Sequence, residues 1–222
     1  MNMTTIQNKG KGRNLIRFLS QNQAVLIPVS IGVALLLWEV VVRIARFPAF
    51  ILPGPGQVWS RFLRALGDGT LARNSWATLE EVLAGLFLGT SLATLIGYFL
   101  ARYQTLERLV SPYLVASQAI PVVAIAPLLI IWFGPGMISK VLVCALIVFF
   151  PVLVNTVVGL RAVPENLRDL MHSLQASRPQ VLRYLEIPAA LPVFLGGLRI
   201  GTTMAVVGAV VGEFVGSDRG LG

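Results

Sequence analysis

The chain has 222 residues, of which 55% are hydrophobic and only 13% charged, against roughly 25% charged in a soluble domain. A packed core cannot absorb that much apolar surface at this length and a bilayer can, so a soluble globular fold is excluded in favour of an all-α integral membrane protein. The net charge of +8 does not call for nucleic acid, because Lys and Arg flank the apolar runs as membrane topology expects.

One cysteine, Cys144, and one histidine, His172, leave no disulfide framework, no Cys-based metal site and no His cluster. Residues 1–23 are polar and basic (Lys9, Lys11, Arg13, Arg17) and read as a cytoplasmic segment ahead of a transmembrane domain over 24–222. The first apolar run has no small-residue cleavage site after it and reads as an uncleaved span. About 20 apolar residues cross the hydrocarbon core as a helix, and five runs meet that length. They cover 24–44, interrupted by Glu39; 83–101, preceded by Glu80 and Glu81; 109–133, with Pro121 and Pro127; 138–160, with Pro151; and 189–215, after Pro188. Glu39 is placed to pair with Arg43 four residues on.

Between the first two runs, Leu52-Pro53-Gly54-Pro55-Gly56 cannot be helical. Beyond it Val58, Phe62, Leu63 and Leu66 repeat at helical spacing opposite Arg61 and Arg64, the pattern of a short helix lying on the membrane surface. Orientation follows from the loops. An N-inside arrangement collects Arg102, Arg108, Arg161, Arg168, Arg178 and Arg183 with the N-terminal cations on one side. It leaves Arg46, Arg61, Arg64, Arg73, Lys140 and Arg219 on the other.

That orientation puts residues 164–192 (PENLRDLMHSLQASRPQVLRYLEIPAALP) in the cytoplasm, a charged interruption between two spans. Pro164 suits a first helical turn, and Leu167, Leu170, Met171 and Leu174 follow at i, i+3, i+4 and i+7 as one apolar stripe. Ser177 with Gln180 three residues later fits a capping box that opens a second helix. A long amphipathic hairpin is a costly way to make a connection, so its stripe reads as a docking element for a soluble partner rather than as an ordinary solvated loop.

These residues resemble the cytoplasmic loop of permease subunits of bacterial ATP-binding-cassette importers, whose pattern is Glu-Ala-Ala, three residues, Gly, nine residues, then Ile-x-Leu-Pro. Leu185-Glu186-Ile187-Pro188 matches the end, Asp169-Leu170-Met171 stands at the beginning, and Gln175 occupies the glycine position. A non-glycine residue in a left-handed turn costs on the order of 1 kcal/mol. LPGPGQVW (52–59), IAPLLIIWFG (125–134), FFPVLVNTVVGLR (149–161), PAALP (188–192), GLRI (197–200) and VVGEFVGSDRGLG (210–222) are similar to the branch that imports nitrate, sulfonates and taurine. That branch also holds riboflavin and thiamine-precursor permeases.

The resemblance implies a type I importer permease of six spans, with five in this sequence and a sixth expected beyond Gly222 as truncated sequence. It implies a coupling loop over 161–187 in which Leu167, Asp169, Leu170, Met171, Leu174, Gln175, Ala176, Ser177, Ile187 and Pro188 meet a cytoplasmic ATPase dimer. It also implies a second permease copy, an extracytoplasmic solute-binding protein, and a bacterial inner-membrane location. No GxxxxGK[ST] loop is present, so ATP and Mg belong to the partner and the chain itself is no enzyme and carries no cofactor or metal. Polar groups inside spans face protein or a water-filled path, which makes Ser117, Gln118, Asn155 and Glu213 the translocation-path candidates. Hydrogen-bonded helix contacts or, for Glu213, an interfacial acid are the plainer alternatives. The solute expected is a vitamin or vitamin precursor such as riboflavin or a thiamine pyrimidine, with nitrate, sulfonate or taurine as the alternative. An intramembrane enzyme or an ion-driven transporter would require more ionisable groups inside the spans than Glu39 and Glu213.

Overall fold

The computed structural model describes residues 23–46, 48–216 and 219–222, so the basic N-terminal segment lies, but for Gln23, outside the described residues. Every regular element among the described residues is helical. The chain forms two compact units, Met1–Gly69 and Thr70–Gly222.

In the first unit, α1 (Gln23–Ala45) is the first span and is apolar on nearly every face, with Ile27, Leu36 and Ile44 exposed. The expected local pair forms, with Arg43 Nε donating to Glu39 Oε1 at 2.6 Å. The predicted surface helix is α2 (Pro55–Gly67); it begins inside the 52–56 run expected not to be helical, because Pro55 falls in its first turn, where a missing N–H costs nothing. Val58, Phe62, Leu63 and Leu66 are all exposed, and Trp59 stacks on Phe62 at 5.7 Å between ring centres. A helix with one apolar stripe and no buried residue suits a lipid interface.

The second unit contains α3 (Thr70–Arg102), α4 (Gln104–Gln118), α5 (Val122–Phe133), α6 (Met137–Arg161), α7 (Glu165–Ser173), α8 (Arg178–Val181), a π-helical turn (Leu182–Glu186) and α9 (Ile187–Gly216). Helix α6 packs along both α3 and α9, and the core they share is built from Val82, Ala93, Leu100, Cys144, Val148, Val152, Leu153, Ala205 and Ala209. The helices approach so closely because side chains are missing from the contact. A Cβ on Gly89 would stand 2.5 Å from the Ala145 carbonyl oxygen, one on Gly208 3.0 Å from Cys144 Cα, and one on Gly197 2.5 Å from Asn155 Cβ. Small residues at helix contacts are how spans associate where lipid competes for apolar surface.

Four helices are long and apolar enough to cross a membrane, and a fifth crossing is possible if α4 and α5 count as one span. That pair sharpens the single third span expected over 109–133, whose prolines were expected to bend it: α4 and α5 meet at 93°. Pro121 is the cause: it has no N–H for the helical ladder and drives the residue before it out of the α region. The second span differs from expectation. Helix α3 begins at Thr70, so it starts within the outer loop expected over 46–76 and already includes the Glu80 and Glu81 pair expected to precede the span.

Lys140 likewise is not the loop cation that the charge count assumed. It lies in the first turn of α6, is buried, and donates to the equally buried Glu81 at 2.7 Å and to the Arg219 carbonyl at 3.0 Å. Beside it Thr78 donates to Glu213 Oε1 at 2.6 Å, the Gly222 N–H donates to Glu213 Oε2 at 2.7 Å, and the Leu221 N–H donates to Thr78 at 3.1 Å. These contacts fasten residues 219–222 across one end of α3, α6 and α9.

A buried pair is costly to break and cheap to replace as a whole. Glu81→Leu or Lys140→Met alone should lower stability by about 3–5 kcal/mol, and the two together should recover most of that loss. Thermal denaturation of the four proteins in detergent reads the coupling; simple additivity of the two single losses would show that the pair does not act as a unit.

Candidate functional site

The polar hairpin forms as the sequence pattern predicts. Helix α7 starts after Pro164, which caps it in extended conformation. Leu167, Leu170 and Leu174 are exposed by 39%, 54% and 69%, and Met171 is half-buried, so the stripe faces outward without cover from the other described residues. Asp169 is exposed on the same helix. Gln175 takes φ = +55°, the left-handed conformation expected at the glycine position. It closes a Schellman turn, with the Ala176 N–H donating to Met171 O at 3.0 Å and the Gln175 N–H to His172 O at 2.9 Å. The next helix opens on the predicted capping box, Gln180 Oε1 accepting from the Ser177 N–H at 2.7 Å and from its hydroxyl at 2.8 Å.

Beyond this point the chain departs from expectation. The second hairpin helix was expected to end near Ile187, with the last span starting afresh at 189. Instead α8, the π turn and α9 form one helix over Arg178–Gly216. Pro188 cannot donate to a carbonyl one turn back, and the wider π turn before it accommodates the proline without breaking the helix. Ile187 and Pro188 are therefore exposed residues of a continuous rod.

The π turn buries Glu186, which sequence reasoning missed. Its Oε1 lies 3.7 Å from both Arg102 at the end of α3 and Arg168 on α7. Arg168 also donates to the Leu160 carbonyl near the end of α6 at 2.8 Å. Arg161 pairs with Glu107 on α4 and donates to the Leu100 carbonyl at 3.4 Å. The hairpin is thus tied by charge to α3, α6 and α9. The sequence signal was faint: an acid among Leu185 and Ile187 in a segment already spoken for by its Leu-x-Ile-Pro ending.

A cleft of about 460 Å³ brings together three of the four path candidates, Ser117, Gln118 and Asn155, against Phe150, Ile147 and Ile200. Ile120 and Val122, on either side of the α4–α5 break, line it too. Ser117 donates to Leu114 O and Asn155 Nδ2 to Pro151 O, each at 2.8 Å, which leaves the Asn155 amide oxygen for another donor. Among the described residues, no Lys, Arg, His, Asp or Glu lines the cleft. Glu213 is not brought to it: its carboxylate is buried in the contacts with Thr78 and Gly222.

Comparison with known proteins agrees with this architecture. Residues 83–222 match the family described as binding-protein-dependent transport system inner membrane component. The chain belongs to that family. It is a multi-pass permease of an ABC importer, as are its relatives. It is 49% identical over 210 residues to the riboflavin transport system permease protein RibX of Chloroflexus aurantiacus, covering 95% of this chain and 78% of that one. The formylaminopyrimidine transport permease protein ThiX of Halalkalibacterium halodurans is 39% identical over 188 residues, 85% of this chain and 74% of its own. The taurine transport system permease protein TauC of Escherichia coli is 32% identical over 204 residues, 88% and 74% of the two chains.

The strained turn gives a direct test of the permease's hairpin. Replacing Gln175 by Gly removes a Cβ clash worth about 1 kcal/mol, so exchange of the Ala176 amide should slow by about fivefold relative to the parent protein. Hydrogen exchange at that amide reads it, and unchanged or faster exchange would mean that the left-handed turn stores no strain.

Proposed function

We propose that this permease moves an uncharged heteroaromatic solute of the vitamin or vitamin-precursor class, driven by a separate ATPase that grips the α7–α8 hairpin. The observation that supports the drive is the exposed Leu167, Leu170 and Leu174 stripe on a helix held to the spans by Arg168 and Glu186. The Lys and Arg distribution puts the N-terminus and this hairpin in the cytoplasm. ATP and Mg are bound by the ATPase dimer. A second copy of the permease completes the path, and a solute-binding protein delivers cargo at the opposite face.

Force entering at Leu167–Leu174 passes through Arg168 and Glu186 into α9, and through Glu186 and Arg102 into α3. Because Arg178–Gly216 is one helix, a displacement at its hairpin end reaches its other end without an intervening loop. ATP-driven closure of the partner then shifts the spans between two states for which the partner has different affinity. Asp169, Gln175, Ala176 and Ser177 flank the stripe in sequence and complete the docking surface, and Ile187 and Pro188 carry it into the start of α9.

The solute class rests on the cleft. An anion carried past Ser117, Gln118 and Asn155 would meet no cation in a low-dielectric setting, where an unpaired charge is very costly. An aromatic amide or pyrimidine would instead meet Phe150, apolar walls and an amide group. Relatives named for riboflavin and for formylaminopyrimidine share this chain's sequence more closely than the one named for taurine.

Cysteines placed at Leu170 and Met171 should cross-link to the ATPase in the assembled transporter, with little background from the buried Cys144. Asp169→Ala should leave ATP hydrolysis running while uptake falls by about tenfold. Uptake that persists in cells lacking the ATPase would refute the ATP-driven reading. Uptake of radiolabelled riboflavin should exceed that of taurine, and Asn155→Ala should reduce it by about tenfold, the loss expected from one buried hydrogen bond. Taurine uptake in place of riboflavin would return the anion branch to favour.

A further inference from the structure

Where the foot of α3 meets the hairpin there is a cavity of about 280 Å³, separate from the cleft, lined by Arg102, Arg168, His172, Arg178, Tyr103 and Glu186 among others. Its charge is unbalanced. Three guanidinium groups surround one carboxylate, and that carboxylate reaches Arg102 and Arg168 only at 3.7 Å, well beyond the 2.7–2.9 Å of a charge-assisted hydrogen bond. Arg168 spends one nitrogen on the Leu160 carbonyl, and its Nε is buried with no acceptor. Arg178 makes no ion pair among the described residues.

We propose that this cavity binds a phosphate group and so bridges the coupling hairpin to α3. The planar fork of arginine matches phosphate oxygens in pairs, and Arg102, Arg168 and Arg178 line the cavity together against a single carboxylate. The phosphate has two possible sources, an anionic lipid headgroup or a soluble phosphate compound. A headgroup suits the position: Arg102 ends a span, and Phe99 and Tyr103 beside it are exposed by 45% and 58%, offering an aromatic border to acyl chains. The proposal rests on the transport reading for its cytoplasmic placement, where anionic lipid and soluble phosphates are both at hand. Its chemistry does not depend on the ATPase.

The test uses the full chain in nanodiscs of phosphatidylcholine with and without phosphatidylglycerol. Native mass spectrometry reads lipid retained by the protein, and phosphorus NMR reads binding of inorganic phosphate in the phosphatidylcholine discs. Arg178→Gln should weaken retention of phosphatidylglycerol by about fivefold, the effect of one surface arginine on an anionic headgroup, and Arg178→Lys should keep most of it. Glu186→Gln should act in the opposite direction and strengthen it, an outcome that general loss of structure would not produce. Retention of phosphatidylglycerol with no binding of inorganic phosphate assigns a lipid; Arg178-dependent binding of inorganic phosphate in phosphatidylcholine discs assigns a soluble source. Binding of neither anion, or binding indifferent to Arg178 and Glu186, overturns the proposal, and protection of the arginines only on adding the ATPase overturns it in favour of an acidic partner side chain. Failure of the Leu170 cross-link would sink the ATPase reading without altering any of these arms.

Discussion

Helix α6 is held by α3 and α9 through surfaces from which side chains have been removed, and this absence of Cβ atoms sets the geometry of everything else. With Gly89 against the Ala145 carbonyl, Gly208 against Cys144 and Gly197 against Asn155, backbones approach to within van der Waals distance. Helices this close cannot slide independently, because their contacts interdigitate at single-atom tolerance. Gly197 has a second effect. By giving way at Asn155, α9 leaves that amide at the edge of the cleft, where its Nδ2 is fixed to the Pro151 carbonyl and its oxygen is presented. The packing that makes the three-helix body rigid is thus also what places a polar group in an otherwise apolar wall.

Rigidity is useful to a machine only if both ends of its levers are attached. At one end α9 carries Glu186, shared between Arg102 and Arg168; at the other it carries Glu213, bound by Thr78 of α3 and by the Gly222 amide. Both acids are buried on one continuous helix, and both bridge to α3. The Glu81–Lys140 pair adds a tie from α3 to α6 at the second end. Single ion pairs on a surface contribute little. The Glu81–Lys140 pair differs, because both partners are buried and parting them strands a charge, so this tie favours collective movement of α3 and α6 over their separation.

The hairpin could be read in the sequence because its signals are local. The i, i+3, i+4, i+7 stripe, the residue in the glycine position and the Ser177–Gln180 box each span less than a helical turn or two, and each formed as expected. Features that depend on distant partners were not legible. Lys140 looked like a loop cation because Glu81, its partner, lies 59 residues away, and Glu186 was hidden because its arginines come from two other helices. The proline signals were ambiguous for a different reason. Pro121 broke a helix, whereas Pro188 follows a π turn within a continuous one and Pro127 and Pro151 lie inside helices, a difference that residue type does not carry. The grouping of Ser117, Gln118 and Asn155 without Glu213 is likewise a matter of tertiary arrangement.

The charges of the second unit are sorted in a way that bears on what can pass it. Buried ionic groups concentrate near the two ends of the α3–α6–α9 body, while the cleft with Ser117, Gln118 and Asn155 has none. A path that carried a sulfonate would require compensation along its length, because attraction to a cation one helix-length away offsets only a small part of the cost of desolvating the anion. A ring system bearing amide-like groups requires only a hydrogen-bond partner and an apolar wall, which the break at Pro121 and the Gly197–Asn155 contact together provide. At the ends the ionic groups tie helices together, and on the path we propose, the same groups in the cleft would have captured the cargo or repelled it.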